Sequence, residues 1–408
     1  MIKNENWVGF LLKYYRLKLN FSQSGVCKGI CTVSYLSKIE NGTAQPSEEV
    51  IEQLFRALGI KSCWNEAVLK QGEKLLTAYF DKVFHYEDAS ESSKAIRACL
   101  KEAEISPLYL AFKLFEIQEA QLQHNAEAMK ERLNQLQPFI GFMDEKMLFV
   151  YELLYGKAFN EEAEGAFLKA DQLNPCSITK LKIASLYYKK GQFQKALQYC
   201  KKAYDLAAYE GNIAVMSEVC IIEGGCYCNL YQFDLMIQTY ERCLNLNRHD
   251  SHLRSDIKYN IGATYCEIGC YEKAYEYLIE AEPGRLDPLS KFLTYHKLSL
   301  VLYYLNRRSE SLDYIEKAEA VLHEKLIQDH CEDIYAKMIQ VVRMMAEGKM
   351  NEEYLKLLEE VYEDCGKRII FGFQQFHGHM LIDAYKANRR YKEALQLAMQ
   401  MQEMLMNL

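Results

Sequence analysis

Apolar residues recur along this chain at three- and four-residue spacing and almost nowhere alternate, which predicts helices rather than strands. Val8, Leu11, Leu12, Tyr15 and Leu19 give one apolar face to a first helix. Ser22 is placed to cap a second, with Val26 and Ile30 inward. After a break at Cys31, Thr32 opens a third with Leu36 and Ile39 inward, and Asn41-Gly42 ends it because both tolerate a left-handed backbone. Pro46-Ser47 announces the next, carrying Val50, Ile51, Leu54, Phe55 and Leu58 inward, and Gly59 closes it. The pattern reads as five short helices in about sixty residues, with a tight turn between the second and third.

That order is the layout of a helix-turn-helix domain. The run Phe21-Ser22-Gln23, Thr32-Val33-Ser34-Tyr35-Leu36-Ser37-Lys38-Ile39-Glu40-Asn41-Gly42 and Pro46-Ser47 resembles the Cro/C1 repressor type over residues 7–60. The resemblance implies that the third helix enters the major groove, with Val33, Ser34 and Lys38 facing base edges and Thr32 at the lip. It sets Gln23 and Asn41 at phosphates. Tyr35 either meets the sugar-phosphate backbone or covers the domain's core. Helix amino ends suit phosphate contacts, and only base-edge contacts read sequence. Arg16 and Glu40 stand where the family joins its first and third helices by a partly buried ion pair; the alternative is two unrelated surface charges. Ile30-Cys31 takes the place of the family's usual turn glycine, and the turn reads one residue shorter.

From Trp64 onward the chain repeats itself. Ala184, Tyr187, Gly191, Phe193, Ala196 and Ala203 match Gly262, Tyr265, Gly269, Tyr271, Ala274 and Ala281 at identical spacing. A third copy runs Gly224, Tyr227, Tyr231, Phe233, Met236, Cys243. Weaker ones run Ser299, Asn306, Ser311, Ala318 and Ile382, Tyr385, Tyr391, Ala394. This is the tetratricopeptide (TPR) pattern of helical hairpins, in which small residues let two helices approach closely. The small positions fall at 163, 196, 236, 274, 311, 353 and 394, which counts as five clear repeats within eight or nine. Such arrays curl into a right-handed superhelix lined on its concave side by the first helix of each pair. The lining residues are then Tyr188, Glu218, Asn229, Asp256, Tyr259, Asn260, His296, Lys297, Tyr303, Tyr304, His379 and Asp383. Tyrosines with a few amides and charges suit an extended peptide.

Composition narrows the chemistry. The 408 residues carry a net charge of −7. Residues 1–60 hold seven Lys/Arg against five Asp/Glu, so attraction for DNA is confined to a mildly basic head on an acidic body. There is neither an apolar run long enough to span a bilayer nor a signal-peptide pattern, which points to the cytoplasm and no membrane partner. Fourteen cysteines then read as reduced thiols; Cys27/Cys31, Cys226/Cys228 and Cys266/Cys270 lack the spacing of a structural zinc site. His377 and His379, two apart, point to different faces of a helix and cannot chelate together. No phosphate-cradling glycine loop, nucleophile elbow or zinc-protease motif is present, so neither an enzyme nor a metal or other cofactor is expected.

A Cro/C1-type head on a TPR body is similar to the Rap/Rgg/NprR/PlcR/PrgX family of peptide-pheromone receptors, the head most like the PlcR type. The resemblance implies an all-α chain with a helix-turn-helix domain at 1–62, a linker helix and possible degenerate repeat at 63–100, and a peptide-binding, dimerising TPR domain at 101–408. It implies a cytosolic homodimer on an inverted-repeat operator in double-stranded DNA, and a quorum-sensing peptide in the groove. Asn260, just before the small residue Gly262, is the position from which this family holds ligand backbone. The competing readings are a groove that binds a response regulator or phosphotransferase, and a phage lysis–lysogeny peptide receptor.

Overall fold

The computed structural model describes residues 7–103, 105–247, 250–284, 287–323, 331–368 and 371–406. It is all-α, with 81% of the chain helical; among the described residues the only β pairing is an isolated bridge between Ser62 and Ile105.

The head has four helices rather than five: α1 (Trp7–Lys18), α2 (Gln23–Cys27), α3 (Val33–Glu40) and α4 (Glu48–Ala57). Their starts are set by side-chain caps. The Ser22 and Thr32 hydroxyls accept from the Gly25 and Tyr35 amides at 3.1 and 3.2 Å, and Ser47 accepts from Val50. Each satisfies an amide that has no partner inside its helix. Leu11, Leu12, Val26, Leu36, Ile39, Leu54 and Phe55 form the core. Four expected inward positions lie outside it, Tyr15 and Val50 among them as half-buried residues. Leu19 falls beyond the end of α1 and is exposed, and Ile30 follows the end of α2 and is only half-buried. The turn also differs from expectation. Because α2 stops at Cys27, Gly29 belongs to the turn, and its φ of +78° supplies the left-handed residue that seemed missing.

Beyond the head the chain forms paired helices. Glu66–Phe84 packs on Ser90–Ala103, and Tyr109–Leu122 on Ala126–Leu136. Seven further pairs open with Glu145–Ala158, Ser177–Lys189, Ile213–Asn229, Ser251–Glu267, Pro288–Tyr304, Glu332–Ala346 and Phe371–Ala387. Small residues govern the close contacts within pairs. A Cβ on Gly224 would stand 2.3 Å from the Tyr240 ring, and one on Gly262 would stand 2.8 Å from Leu278. Ala196, Met236, Ala274, Ser311 and Ala394 are buried at the matching register of the second helices. At the sixth of these pairs the register differs. Glu353 is exposed and Leu355 takes the inward position, because Glu352–Arg368 starts at Glu352 and the fourth residue of the helix faces its partner.

The molecule divides into two compact units. One comprises residues 1–186 and 202–215, the other 187–201 and 216–408. Within the first, α1 lies against an aromatic cluster on the 3-10 helix Gln137–Phe142. Phe10 meets Phe139 edge-on at 4.9 Å and Phe142 at 5.3 Å, and Tyr14 adds a third ring 5.7 Å from Phe139.

Candidate functional site

The outer face of the head is assembled from α3 and its cap. Thr32, Val33, Ser34, Lys38 and Asn41 are all exposed, and Val33 is left open to solvent despite being apolar. Leu36 and Ile39 point the other way and anchor the helix in the core. This side carries one methyl-rich residue, two hydroxyls and one cation, the chemistry that reads base edges and phosphates. Tyr35 is half-buried, and its hydroxyl donates to the Gln45 carbonyl at 3.4 Å, so it braces the loop before α4.

Arg16 and Glu40 form a bidentate pair, Nε to Oε1 at 2.5 Å and Nη2 to Oε2 at 2.9 Å, with both residues buried. The pairing with Glu40 pushes the Arg16 pKa up from its ordinary value. Arg16 also donates to the Phe21 carbonyl, and the Gln23 amide donates to Glu40 Oε2 at 2.8 Å. Gln23, expected at a phosphate, is therefore held toward the ion pair, where it ties α2 to the contact between α1 and α3.

The lining residues of the repeat body separate by burial. Asp256, Tyr304, His379 and Asp383 are exposed. Tyr188, Glu218, Asn229, Asn260 and Tyr303 are half-buried, and Tyr259, His296 and Lys297 are buried. Tyr188 lies on Gly225, whose carbonyl accepts from the Asn229 amide at 2.7 Å. Tyr304 stacks on Tyr271 at 4.5 Å with an angle of 9°. Asp383 pairs with Lys386 one turn on. Among the described residues the Asn260 side chain has no hydrogen-bond partner, so its amide is free for one.

Three helices of the second unit, and the turn that carries Tyr231, meet at a buried polar cluster. The Lys297 ammonium sits 2.9 Å from the centroid of the Phe376 ring. Burial lowers its pKa to about 8. His296 and His377 lie 6.0 Å apart, and burial holds His377 neutral, with a pKa of about 3, while its Nδ1 faces the Phe373 carbonyl at 2.8 Å. Burial pushes the Glu267 carboxyl up. Tyr231, four pairs earlier in the chain, donates to Gln375 Oε1 at 3.3 Å and lies 3.4 Å from His379 Nε2. His377 and His379 thus have separate surroundings, and no metal-binding group of three occurs among the described residues.

Tyr231, Glu267 and Gln375 were not singled out by the pattern of the sequence. Only Tyr231 left a signal: it occupies the turn position that is glycine in two neighbouring repeats, Gly191 and Gly269. Its φ is +56°, as theirs are +72° and +77°. No helix among the described residues is long and apolar enough to cross a membrane.

A helix-turn-helix family model (HTH_3) matches residues 12–65. The transcriptional activator NprA of Geobacillus stearothermophilus is 27% identical over 252 residues, which are 57% of this chain and 62% of that one. The chain thus matches less than two thirds of that curated relative. In fold, it is similar to the apo form of the quorum sensor NprR from B. thuringiensis, with a TM-score of 0.66 at 15% identity over 83% of this chain and 99% of that one. It is similar also to a Rap protein solved with Competence and Sporulation Factor, with a TM-score of 0.65 at 14% identity and coverage of 83% and 99%. The class is a helix-turn-helix head on a TPR-like helical body. Within that class, the chain resembles the peptide-responsive regulators of the NprR and Rap type.

Proposed function

We propose that this chain is a transcriptional regulator that reads DNA through Thr32, Val33, Ser34 and Lys38 and is gated by a short peptide bound along the first helices of its repeats. The observation that carries the reading is the exposed face of α3, presented by a capped helix whose other side is locked into the core. In this reading Val33 packs on a thymine methyl, Ser34 bonds a base edge, and Lys38 reaches guanine or phosphate. Asn41 contributes to phosphate, and Tyr188, Asn229 and Asn260 hold the peptide backbone. The protein works in the cytoplasm as a homodimer, so its operator is an inverted repeat. Peptide acts by binding the DNA-competent and incompetent arrangements with different affinity.

The test is fluorescence anisotropy on DNA from upstream of the coding region, with and without a short-peptide fraction of the culture medium. Saturable, salt-sensitive binding that the fraction shifts is the expected result. Ser34→Ala and Lys38→Ala should each weaken specific binding by about 1–3 kcal/mol with melting unchanged. Unaltered affinity in both variants would move the reading face away from α3. One alternative is a repeat body that binds a protein partner in place of a peptide. Indifference of DNA binding to every short peptide would favour it, since a protein partner covers more surface than a pentapeptide does.

A further inference from the structure

The second unit holds a lysine that nothing pairs. Lys297 is only 6% exposed, and no carboxylate lies within ion-pair distance of it among the described residues; its contact is the face of Phe376. A buried ammonium without a counter-charge is expensive, and folded chains rarely retain one without use. Glu267 on the neighbouring helix is the acid whose charge it feels, yet the two form no salt bridge. On the helix that carries Phe376, the preceding residue Gln375 is 2% exposed, and its Nε2 has no hydrogen-bond partner although its Oε1 accepts from Tyr231. A buried amide donor left unmade costs about as much as a lost hydrogen bond. Gln375 Nε2 on Phe371–Ala387 and His296 Nδ1 on Pro288–Tyr304 are thus buried without hydrogen-bond partners, near an ammonium whose contact is an aromatic face.

Tyr231 adds an independent observation. Its backbone is left-handed, as it is at the same turn position in Gly191, Gly269, Asn306 and Arg389. The ring is held there with its hydroxyl between Gln375 and His379. Tyr231 orients Gln375: by occupying Oε1, it leaves Nε2 as the free donor.

We propose that Lys297 and Gln375 receive a carboxylate of the bound peptide, with Tyr231 as a positioning residue. The proposal rests on the peptide-binding reading above and adds the chemistry of one subsite to it. The carboxylate replaces the missing acceptor of Gln375 and the missing counter-ion of Lys297 in one step, while Glu267 competes with it for the lysine. The carboxylate comes from the peptide's C-terminus or from an Asp or Glu side chain.

The experiment uses the full chain and a positional-scanning heptapeptide library, made once with a free C-terminus and once amidated, and binding is read by thermophoresis. Lys297→Met should bind the preferred pools about 10- to 100-fold more weakly, the range for a hydrogen bond to a charged group. It should also melt higher than the parent, because a buried charge is gone; a lysine of purely structural use would melt lower when replaced. Gln375→Met, a second variant that keeps the side-chain volume, should weaken binding several-fold, and Glu267→Gln should tighten it. Loss of binding on amidation assigns the C-terminus. Binding that survives amidation but concentrates in pools with a fixed Asp or Glu assigns the side chain. Parent binding with no preference for either acid, unchanged in Lys297→Met and Gln375→Met, overturns the subsite and leaves the peptide reading standing. No binding of any pool to the parent overturns the peptide reading and this proposal with it.

Discussion

At the scale of single residues, the head is governed by one buried ion pair. Arg16 and Glu40 have left water almost completely, and their geometry satisfies most of their hydrogen-bonding capacity: Arg16 serves Glu40 and the Phe21 carbonyl, while Glu40 also accepts from Gln23. Removing one partner strands the other charge in a low-dielectric site. Glu40→Ala should therefore destabilise the head by about 3–5 kcal/mol, whereas Arg16→Met with Glu40→Leu together should be nearly neutral. Chemical denaturation of the parent, Arg16→Met, Glu40→Leu and the double variant checks this as a double-mutant cycle, with Glu40→Ala measured beside it. A single Glu40→Ala that costs less than about 1 kcal/mol would mean that water reaches the pair and screens it. The same cycle tests the place of Gln23. If its amide serves the ion pair, Gln23→Ala should lower stability and leave the salt dependence of DNA binding unchanged.

At the scale of elements, the contact between α1 and α3 is set by Gly9. A Cβ there would lie 1.9 Å from the Ile39 carbonyl oxygen and 2.7 Å from its carbon, and these are backbone atoms that no rotamer change can move. Gly9→Ala should thus force the helices apart, costing more than the roughly 1–3 kcal/mol of ordinary overpacking. Gly25→Ala, whose added Cβ meets the Ser22 hydroxyl at 3.2 Å and the Phe21 ring at 3.9 Å, should cost far less. Circular dichroism melts of the two variants give the comparison; equal costs would show that α1 can slide on α3. Elements of this kind were largely legible in the sequence, because caps and apolar spacing are local: Ser22, Thr32, Ser47 and Gly59 act where the pattern places them. The end of α2 was not. Val26 and Ile30 keep helical spacing, and nothing local shows that Gly29 takes the left-handed turn instead. The burial of His296 and Lys297 was hidden for a different reason. It depends on Phe371–Ala387 packing across Pro288–Tyr304, two pairs away along the chain, and a count of positions within one repeat cannot report it. The repeat pattern nevertheless held the clue to Tyr231, a tyrosine at a turn position that is glycine in two neighbouring repeats.

At the scale of the molecule, a regulator needs its head held in a defined way, since a head on a free tether would transmit no change in the body. The first unit supplies such a hold. Phe139, 1% exposed, lies beneath Phe10 and Tyr14 of α1, and Tyr109 from the helix Tyr109–Leu122 stands 6.1 Å from the same ring. Trp7 and Trp64, at the two ends of the head, stand 6.4 Å apart and draw its start toward its exit. Phe10 and Tyr14 are only half-buried, so the head's own core, built on Leu11, Leu12, Leu36 and Leu54, does not depend on them. Phe139→Ala should then remove the seat without unfolding the head. Truncating a buried phenylalanine costs about 3–5 kcal/mol, and this loss should fall on the contact between α1 and the body. The expected outcome is that melting of the first unit splits into two transitions, that amide exchange in α1 accelerates, and that isolated half-site DNA is bound as before. If, as proposed, two copies share an inverted-repeat operator, that operator should be bound more weakly, because two untethered heads must give up more freedom to occupy both half-sites together. Retention of a single transition with parent-like affinity for the full operator would show that Glu66–Phe84 alone fixes the head, and that the aromatic seat carries no part of the coupling.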